Sequence, residues 1–346
     1  MTRKSVMVAA TEFRDGASGS GLIAGFRQLG WLVQSIDRRA FSGSSASLAL
    51  RAASRLTRVA LQRAYQEAVW HECEALRPDV FFTVKGAGLS AALLERIQSL
   101  GTKTVMYYPD VSFDHPGIDT ESFSFYDCFV TTKSFQLEWL IERLGVDRVA
   151  HVPHGYSESV FQPIFDLVSD QDFVFDVLYM GNHSPYKQRW LERLIELHPG
   201  LNLGVAGGRW REQASPLAVP SSALMGEVRG VALAKLIQTS RINIALHFGN
   251  SDGEWQDLVS TRTFEIPACK GFMLHIDNPE VRSLFSAGEE VDVFSSPEEL
   301  DAKVRLYLAN PAQRRDLVER AYSRAVPAYG YACRAAEIDR LIRSLP

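Results

Sequence analysis

Short apolar segments alternate with helical patterns along nearly the whole chain, and this alternation restricts the possible folds more than any other feature of the sequence. In the first half, each apolar run has the length and composition of a buried strand. These predicted strands are 5–10, 31–36, 80–84, 103–108 and 128–131. Because parallel strands need long crossover connections, the alternation predicts a parallel sheet with helices on both faces, that is, a doubly wound domain.

A second series of the same kind follows a stretch that contains Pro153 and Pro163. Its predicted strands are 174–180, 201–206, 241–246, 272–276 and 291–294. A length of 346 residues also favours two domains over one. The predicted organisation is an N-terminal domain over 1–153, an interdomain connection over 154–172, a C-terminal domain over 173–328 and a C-terminal helix over 329–346.

The composition argues against several classes of protein. A net charge of -4 is unlike that of a general nucleic-acid binder. The four cysteines lie far apart without metal-ligand spacing, so we expect reduced thiols and no metal site. The first apolar run is too short for a signal peptide, and no run approaches the ~18 apolar residues that span a bilayer. A cytoplasmic protein is therefore expected.

One segment has a strong charge bias. Between Arg38 and Arg63 the chain has six arginines and no acidic residue. Arg51, Arg55 and Arg58 recur at helical spacing among apolar residues, which is typical of a helix that lies on an anionic membrane surface or faces an anionic acceptor. A solvated helix face has the same pattern and is the more common case. Peripheral contact with the inner face of the membrane remains an open hypothesis.

Two segments of the second series follow predicted strands, where ligands bind in open α/β sheets. Gly181 allows a tight turn, and Lys187 precedes a helix whose N-terminus favours an anion such as a phosphate. In the short helix after residue 260, Arg262 suits a diphosphate, whereas Glu265 suits the hydroxyl groups of a ribose. An exposed lysine and an ordinary surface helix turn are the alternatives.

The first series contains two weaker candidates. The glycine-rich stretch 16–21 follows the first strand and is predicted to be a loop that a phosphate or sugar can approach, although its spacing misses the dinucleotide-binding fingerprint. Asp110 directly follows a strand, with His115 close behind, and such groups can orient an acceptor hydroxyl. The alternative for Asp110 is a residue that caps a turn.

A family resemblance rests mainly on the sequence RTFEIPACKGFML at residues 262–274 and on PHGY at residues 153–156. With these motifs, the chain resembles the GT-B superfamily of glycosyltransferases, and within it the branch similar to the spore-maturation protein CgeB. The resemblance is good over 152–336 and looser before it. It implies two Rossmann-like domains facing a cleft, with the C-terminal helix packing back on the N-terminal domain.

The resemblance implies a retaining, metal-independent transferase that moves a sugar from a nucleoside-diphosphate sugar, with a UDP-sugar as the expected donor. The acceptor would be a glycan, a lipid-linked saccharide or a protein, in cell-surface glycan biosynthesis. In related enzymes a Glu-x7-Glu pair marks the donor site; Glu265 matches the second position, and Asp257 occupies the first.

The resulting site hypothesis divides the residues by role. Those expected to bind the donor are Gly181, Lys187, Arg189, Arg262, Thr263 and Glu265, and those expected to act in catalysis are Asp110, His115 and Asp257. Two alternatives stay open: a nucleotide-sugar epimerase of the same fold, and a non-catalytic relative that binds a sugar nucleotide.

Overall fold

The computed structural model describes residues 5–41, 48–115, 117–212, 218–247, 249 and 257–346, without the side chains of 48–58. The chain forms two compact units, of which the first comprises Met1–Pro153 with Tyr331–Pro346 and the second His154–Gly330. Each unit contains a six-stranded sheet in which all strand pairs are parallel. The predicted α/β architecture with two doubly wound sheets is confirmed.

The first unit begins with alternating strands and helices. These are β1 (Val6–Thr11), α1 (Ser18–Gln28), β2 (Leu32–Asp37), α2 (Leu48–Leu76), β3 (Val80–Val84), α3 (Ala91–Gln98), β4 (Lys103–Tyr108), β5 (Cys128–Thr131), α4 (Leu137–Leu144) and β6 (Val149–His151). The strand order is β2-β1-β3-β4-β5-β6. In β1, Met7 and Ala9 join one apolar core, while Val8 and Ala10 join another. Since successive side chains of a strand point to opposite faces, the sheet is covered on both sides, which explains the continuous apolar runs.

The second unit repeats this construction with a different strand order. Its elements are β7 (Phe175–Met180), α5 (Pro185–Leu197), β8 (Leu203–Ala206), β9 (Leu224–Gly226), α6 (Gly230–Gln238), β10 (Ser240–Ala245), α7 (Thr261–Ala268), β11 (Met273–Ile276), α8 (Pro279–Leu284), β12 (Asp292–Phe294), α9 (Pro297–Ala309) and α10 (Pro311–Ala325). The order β12-β11-β10-β7-β8-β9 reverses direction between β7 and β10. Such a switch point leaves a crevice beyond the carboxyl ends of the two strands, where ligands of doubly wound folds bind.

The final helix, α11 (Tyr331–Ser344), belongs to the first unit and packs on α1. A Cβ atom at Gly21 would lie 2.4 Å from Cδ2 of Tyr331, and one at Gly25 would lie 2.6 Å from Cβ of Ala335. These glycines therefore allow two helices to approach closely. The prediction of a substrate loop over 16–21 is wrong for residues 18–21, because α1 already begins at Ser18.

Two edge strands, β6 and β9, are absent from the sequence prediction. Each has only three residues, which is too short for a hydrophobic period to be recognised. The five predicted strands of the second unit agree with β7, β8, β10, β11 and β12 to within two residues at each end.

The arginine-rich segment lies partly in α2, and the side chains of Arg51, Arg55 and Arg58 are outside the described residues. Arg38 pairs with Glu12 at 2.8 Å, and Arg39 pairs with Asp37 at 2.6 Å. Across the described ranges, none of the helices combines the length and the apolar character needed to cross a bilayer.

Candidate functional site

The loop after β7 turns a lysine inwards at the switch point of the second unit. Ser184 caps α5, and its side chain accepts a hydrogen bond from the backbone N–H of Lys187 at 3.4 Å. Lys187 is only 8% exposed, and its Nζ donates to the carbonyl oxygen of Asn182 at 3.1 Å. The structure therefore contradicts the alternative of an exposed lysine and holds this ammonium group beside the carboxyl end of β7.

Three charged side chains act on one another at this place. Burial lowers the pKa of Lys187 to about 8; the positive charge of Arg262 lowers it as well, whereas Asp257 raises it. Asp257 is 5% exposed. Two cations and one carboxylate thus share a weakly hydrated region, although 70 residues or more separate Lys187 from the other two in the chain.

Helix α7 provides the other side of the site. Ser260 caps its N-terminus and forms a capping box with Thr263. Glu265 lies in the next turn with an exposure of 5%; burial raises the pKa of its carboxyl group, while Arg262 and a hydrogen bond from Thr261 lower it. The alternative of an ordinary surface turn does not fit a carboxylate that is buried to this extent.

Two buried hydrogen-bond donors at the site have no acceptor within the described part of the chain. They are Nε of Arg262 and the hydroxyl group of Tyr179. The charge of Arg262 acts to lower the pKa of Tyr179 against the larger effect of burial, so the two groups are electrostatic neighbours. A buried polar group without a partner costs about 1–3 kcal/mol, and the oxygens of an anionic ligand would relieve that cost. Tyr179 is the second-last residue of β7, and no sequence motif singles it out.

Two buried histidines, His247 and His275, form a hydrogen-bond network with the N-terminal residues of α7. Burial lowers the pKa of His275 to about 4, so its ring is neutral at pH 7. Its Nδ1–H donates to the carbonyl oxygen of Ile276 at 2.6 Å, which leaves Nε2 as an acceptor. This nitrogen lies 2.9 Å from Nε2 of His247 and 3.0 Å from the hydroxyl group of Thr263. Nδ1 of His247 in turn lies 3.0 Å from the hydroxyl group of Ser260.

This network determines what Thr263 can do. Its exposure is 0%, and its hydroxyl group is engaged by the helix cap and the histidines. The hydroxyl group of Thr263, which was expected to contact the donor, thus has partners within the protein and helps to position the helix that carries Arg262 and Glu265.

A cavity of about 420 Å³ adjoins this site beyond the carboxyl ends of β8 and β9. Gly207, Gly208, Trp210 and Glu227 contribute to its lining. A Cβ atom at Gly207 would lie 2.0 Å from the carbonyl oxygen of Gly181, so only glycine allows the two loops to touch. The indole N–H of Trp210 donates to the same oxygen at 2.9 Å. Arg189, in contrast, lies exposed on α5.

The first unit brings together Asp110 and His115, the two residues predicted for the acceptor side. Oδ2 of Asp110 pairs with Nζ of Lys85 and lies 3.6 Å from Nε2 of His115. Lys85, which the sequence analysis missed, directly follows β3 and has a left-handed backbone with φ of 70°. Such a conformation is uncommon for a residue with a side chain and is enriched at functional sites. No three His, Cys, Asp or Glu side chains in the described ranges are grouped to hold a metal ion.

Part of the sequence and the fold as a whole are similar to those of known proteins. Residues 185–340 match a sequence family described as glycosyl transferase-like. No curated protein has a sequence that matches the chain. The fold is similar to that of sucrose-phosphate synthase from Thermosynechococcus elongatus, with a TM-score of 0.66 and 13% identity over 99% of both chains.

Two further structures bear on the function. HepE of Anabaena, in complex with UDP-glucose, has a TM-score of 0.65 at 11% identity over 98% of this chain and 100% of its own. A putative UDP-N-acetylglucosamine 2-epimerase of Listeria monocytogenes is less similar. Its TM-score is 0.54 at 12% identity over 99% of this chain and 96% of its own. The chain therefore has the fold of GT-B glycosyltransferases, and its residues 185–340 are similar to the glycosyl transferase-like family.

Proposed function

We propose that the protein is a glycosyltransferase that moves a sugar from a nucleoside-diphosphate sugar to an acceptor hydroxyl group. The proposal rests on one observation: Arg262 interacts electrostatically with both Lys187 and Glu265 at the switch point between β7 and β10. Cations suit a diphosphate, and a buried carboxylate suits ribose hydroxyls. The UDP-glucose complex of a protein with this fold favours a UDP-sugar as the donor.

Each part of the donor has a proposed partner in the second unit. Lys187 and Arg262 bind the diphosphate, with the exposed Arg189, two residues after Lys187 on α5, as an additional cation. Glu265 accepts hydrogen bonds from the ribose, and Asp257 accepts them from the sugar. The base enters the cavity lined by Gly208 and Trp210, next to Gly181.

We propose a retaining mechanism without a metal, as in the glycosyltransferases that the sequence resembles. The bond between the anomeric carbon and the diphosphate oxygen breaks, and its electron pair leaves with the diphosphate. Lys187 and Arg262 stabilise the charge that develops there. The acceptor oxygen bonds to the same face of the sugar, and its proton passes to a phosphate oxygen. Asp110, together with His115 and Lys85, orients the acceptor. We also propose that the protein belongs to the CgeB-like branch and acts in cell-surface glycan synthesis.

The proposal is tested by incubating the purified protein with UDP-sugars and a panel of acceptors. We expect release of UDP that depends on the acceptor, and a glycosidic product whose anomeric configuration, measured by NMR, equals that of the donor.

In Asp110→Asn, turnover should fall about 100-fold, whereas UDP affinity should change less than about twofold, because the substitution lies in the first unit.

Two other outcomes would favour the alternatives. Conversion of the donor into an isomeric nucleotide sugar without an acceptor would show that the protein is an epimerase. The similarity of the fold to that of an epimerase is the reason to test for this activity. Stabilisation by UDP without turnover of any donor would indicate a sugar-nucleotide-binding protein.

The affinity for UDP should depend on pH. The pKa of Lys187 is about 8 in the free protein, so the ammonium form is complete at about pH 7 and is lost as the pH rises further. Because the diphosphate attracts only the protonated form, Kd should change by less than about 1.5-fold up to about pH 7.5 and should increase about fivefold from about pH 8 to about pH 9. Calorimetric titrations from about pH 7 to about pH 9, where the phosphates stay ionised and the uracil ring largely keeps its N3 proton, measure this profile.

Lys187→Arg is the matched variant for the pH experiment. Its guanidinium group keeps its charge over the whole range, so its Kd should be independent of pH. A wild-type Kd that is equally flat would show that Lys187 does not bind the diphosphate as an ammonium ion.

A further inference from the structure

A second cavity lies in the second unit, at the amino ends of the strands. Its volume is about 250 Å³, and its lining includes Phe173, Ser240, Arg241, Phe272 and Arg314. All but Arg314, which lies on α10, precede or begin β7, β10 or β11, whereas the candidate donor site follows the carboxyl ends of β7 and β10. A strand of six residues spans about 20 Å. The cavity is therefore separate from the donor site.

The unusual group in this cavity is Arg314, in the first turn of α10. It is only 4% exposed. Within the described part of the chain it makes one hydrogen bond, from Nη1 to the carbonyl oxygen of Tyr307 at 2.6 Å, and its guanidinium carbon lies 5.5 Å from the ring centre of Phe173. No described carboxylate forms an ion pair with it.

Of the other cations that line the cavity, Arg241 and Lys270 are paired with carboxylates and Arg315 is exposed to solvent, whereas Arg314 is buried. Arg241 donates to Oδ1 of Asp176 at 3.0 Å, and Lys270 lies 2.8 Å from Glu319. Burial and the charge of Arg241 lower the pKa of Arg314, although the carboxylates of Asp170 and Asp176 act in the opposite direction without forming an ion pair with it. A buried charge without a counter-ion is costly, and an anion in the cavity would provide one.

The lining indicates which anion fits. A guanidinium group presents a planar set of donors that matches an oxyanion. The rings of Phe173 and Phe272 offer apolar surface for the rest of the ligand. Asp170 and Asp316 also line the cavity and would repel a doubly charged phosphate more strongly than a carboxylate.

We infer that this cavity binds a small monocarboxylate with an aromatic or aliphatic body, whose carboxylate pairs with Arg314. The inference is independent of the proposed transferase activity, because none of the donor-site residues takes part. Since the two sites lie at opposite ends of the same strands, a carboxylate and UDP bind at the same time.

The probe for the test is benzoate, titrated into the full chain and followed by ligand-observed NMR, with benzamide as the neutral analogue. For a ligand of this size we expect a Kd on the order of 1 mM for benzoate. Benzamide should bind at least about tenfold more weakly, and saturating UDP should not displace benzoate. Absence of benzoate binding at about 20 mM, tighter binding of inorganic phosphate, or displacement by UDP would overturn the inference.

Arg314→Met and Arg320→Met form the matched pair of variants, since both arginines lie on α10 and Arg320 is exposed. Arg314→Met should lose at least about tenfold in benzoate affinity, and Arg320→Met should retain it. The Tm of Arg314→Met without ligand should not decrease, because the substitution removes an uncompensated buried charge.

A merely structural arginine would give the opposite result, with a lower Tm and unchanged benzoate binding. If Arg314→Met does not fold, Arg314→Lys keeps the charge but loses the planar fork, and at least a fivefold weaker binding is then expected. Benzoate affinity equal to that of the wild type in either variant would refute the assignment.

Discussion

Replacing Lys187 by Met should weaken the binding of UDP about 100-fold, which corresponds to roughly 3 kcal/mol. The ammonium group is buried and held by the carbonyl oxygen of Asn182, so it is already in place before a ligand arrives. A charge-assisted hydrogen bond in such surroundings contributes more than one at the surface. Methionine has a similar length without the charge. Isothermal titration calorimetry at about pH 7 measures the change.

Lys235→Met is the matched control, because Lys235 is exposed on α6 in the same unit. Its affinity for UDP should stay within about twofold of the wild type. Thermal melting shows whether both variants are folded. If Lys187→Met bound UDP as tightly as Lys235→Met does, the proposed diphosphate site would be wrong.

Replacing Glu265 by Ala should lower the affinity for UDP by about 30-fold while leaving that for pyrophosphate unchanged or slightly higher. The carboxylate is proposed to accept hydrogen bonds from the ribose, which pyrophosphate lacks, and hydrogen bonds to a charged group are worth about 1.5–3 kcal/mol. Removing a negative charge near Arg262 would, if anything, favour a free anion. Lys187→Met, in contrast, should weaken both ligands. Competition titrations with UDP and pyrophosphate measure this difference.

The exposed Glu298, which pairs with Arg193 at the surface, supplies the control variant Glu298→Ala. It should bind both ligands like the wild type. Equal losses of UDP and pyrophosphate affinity in Glu265→Ala would instead indicate that this carboxylate orders the loop around the phosphates. The division of roles between Glu265 and Lys187 would then have to be abandoned.

The alternation of apolar runs and helices was sufficient to predict the two sheets, because buried parallel strands need such runs and such connections. The rule that ligands bind after the strands also directed attention to Lys187 and Arg262. How far Lys187 and Arg262 are buried depends on contacts between residues that are 70 or more positions apart in the chain. A local sequence pattern carries no information about such contacts. Their roles as ligand contacts remain predictions.

Residues that the sequence analysis missed lack a motif of their own. Tyr179 looks like any core aromatic residue of a strand, and only the folded structure shows its hydroxyl group without a partner. Lys85 looks like a strand-ending lysine until its pairing with Asp110 is known. The glycines near residue 21 were misinterpreted for a related reason: a helix that must admit another helix and a loop that must admit a phosphate both select for small side chains.

The packing of α11 on α1 has a consequence for synthesis on the ribosome. The first unit is built from both ends of this sequence, whereas the second is built from one continuous segment. As the chain emerges, the segment from His154 to Gly330 is therefore complete before the helix that covers Gly21 and Gly25 has been made. Until then, the apolar face of α1 that will contact Tyr331 and Ala335 remains exposed. The first unit is thus finished after the second, and the apolar surface that α11 will cover needs protection from aggregation until this helix has been made.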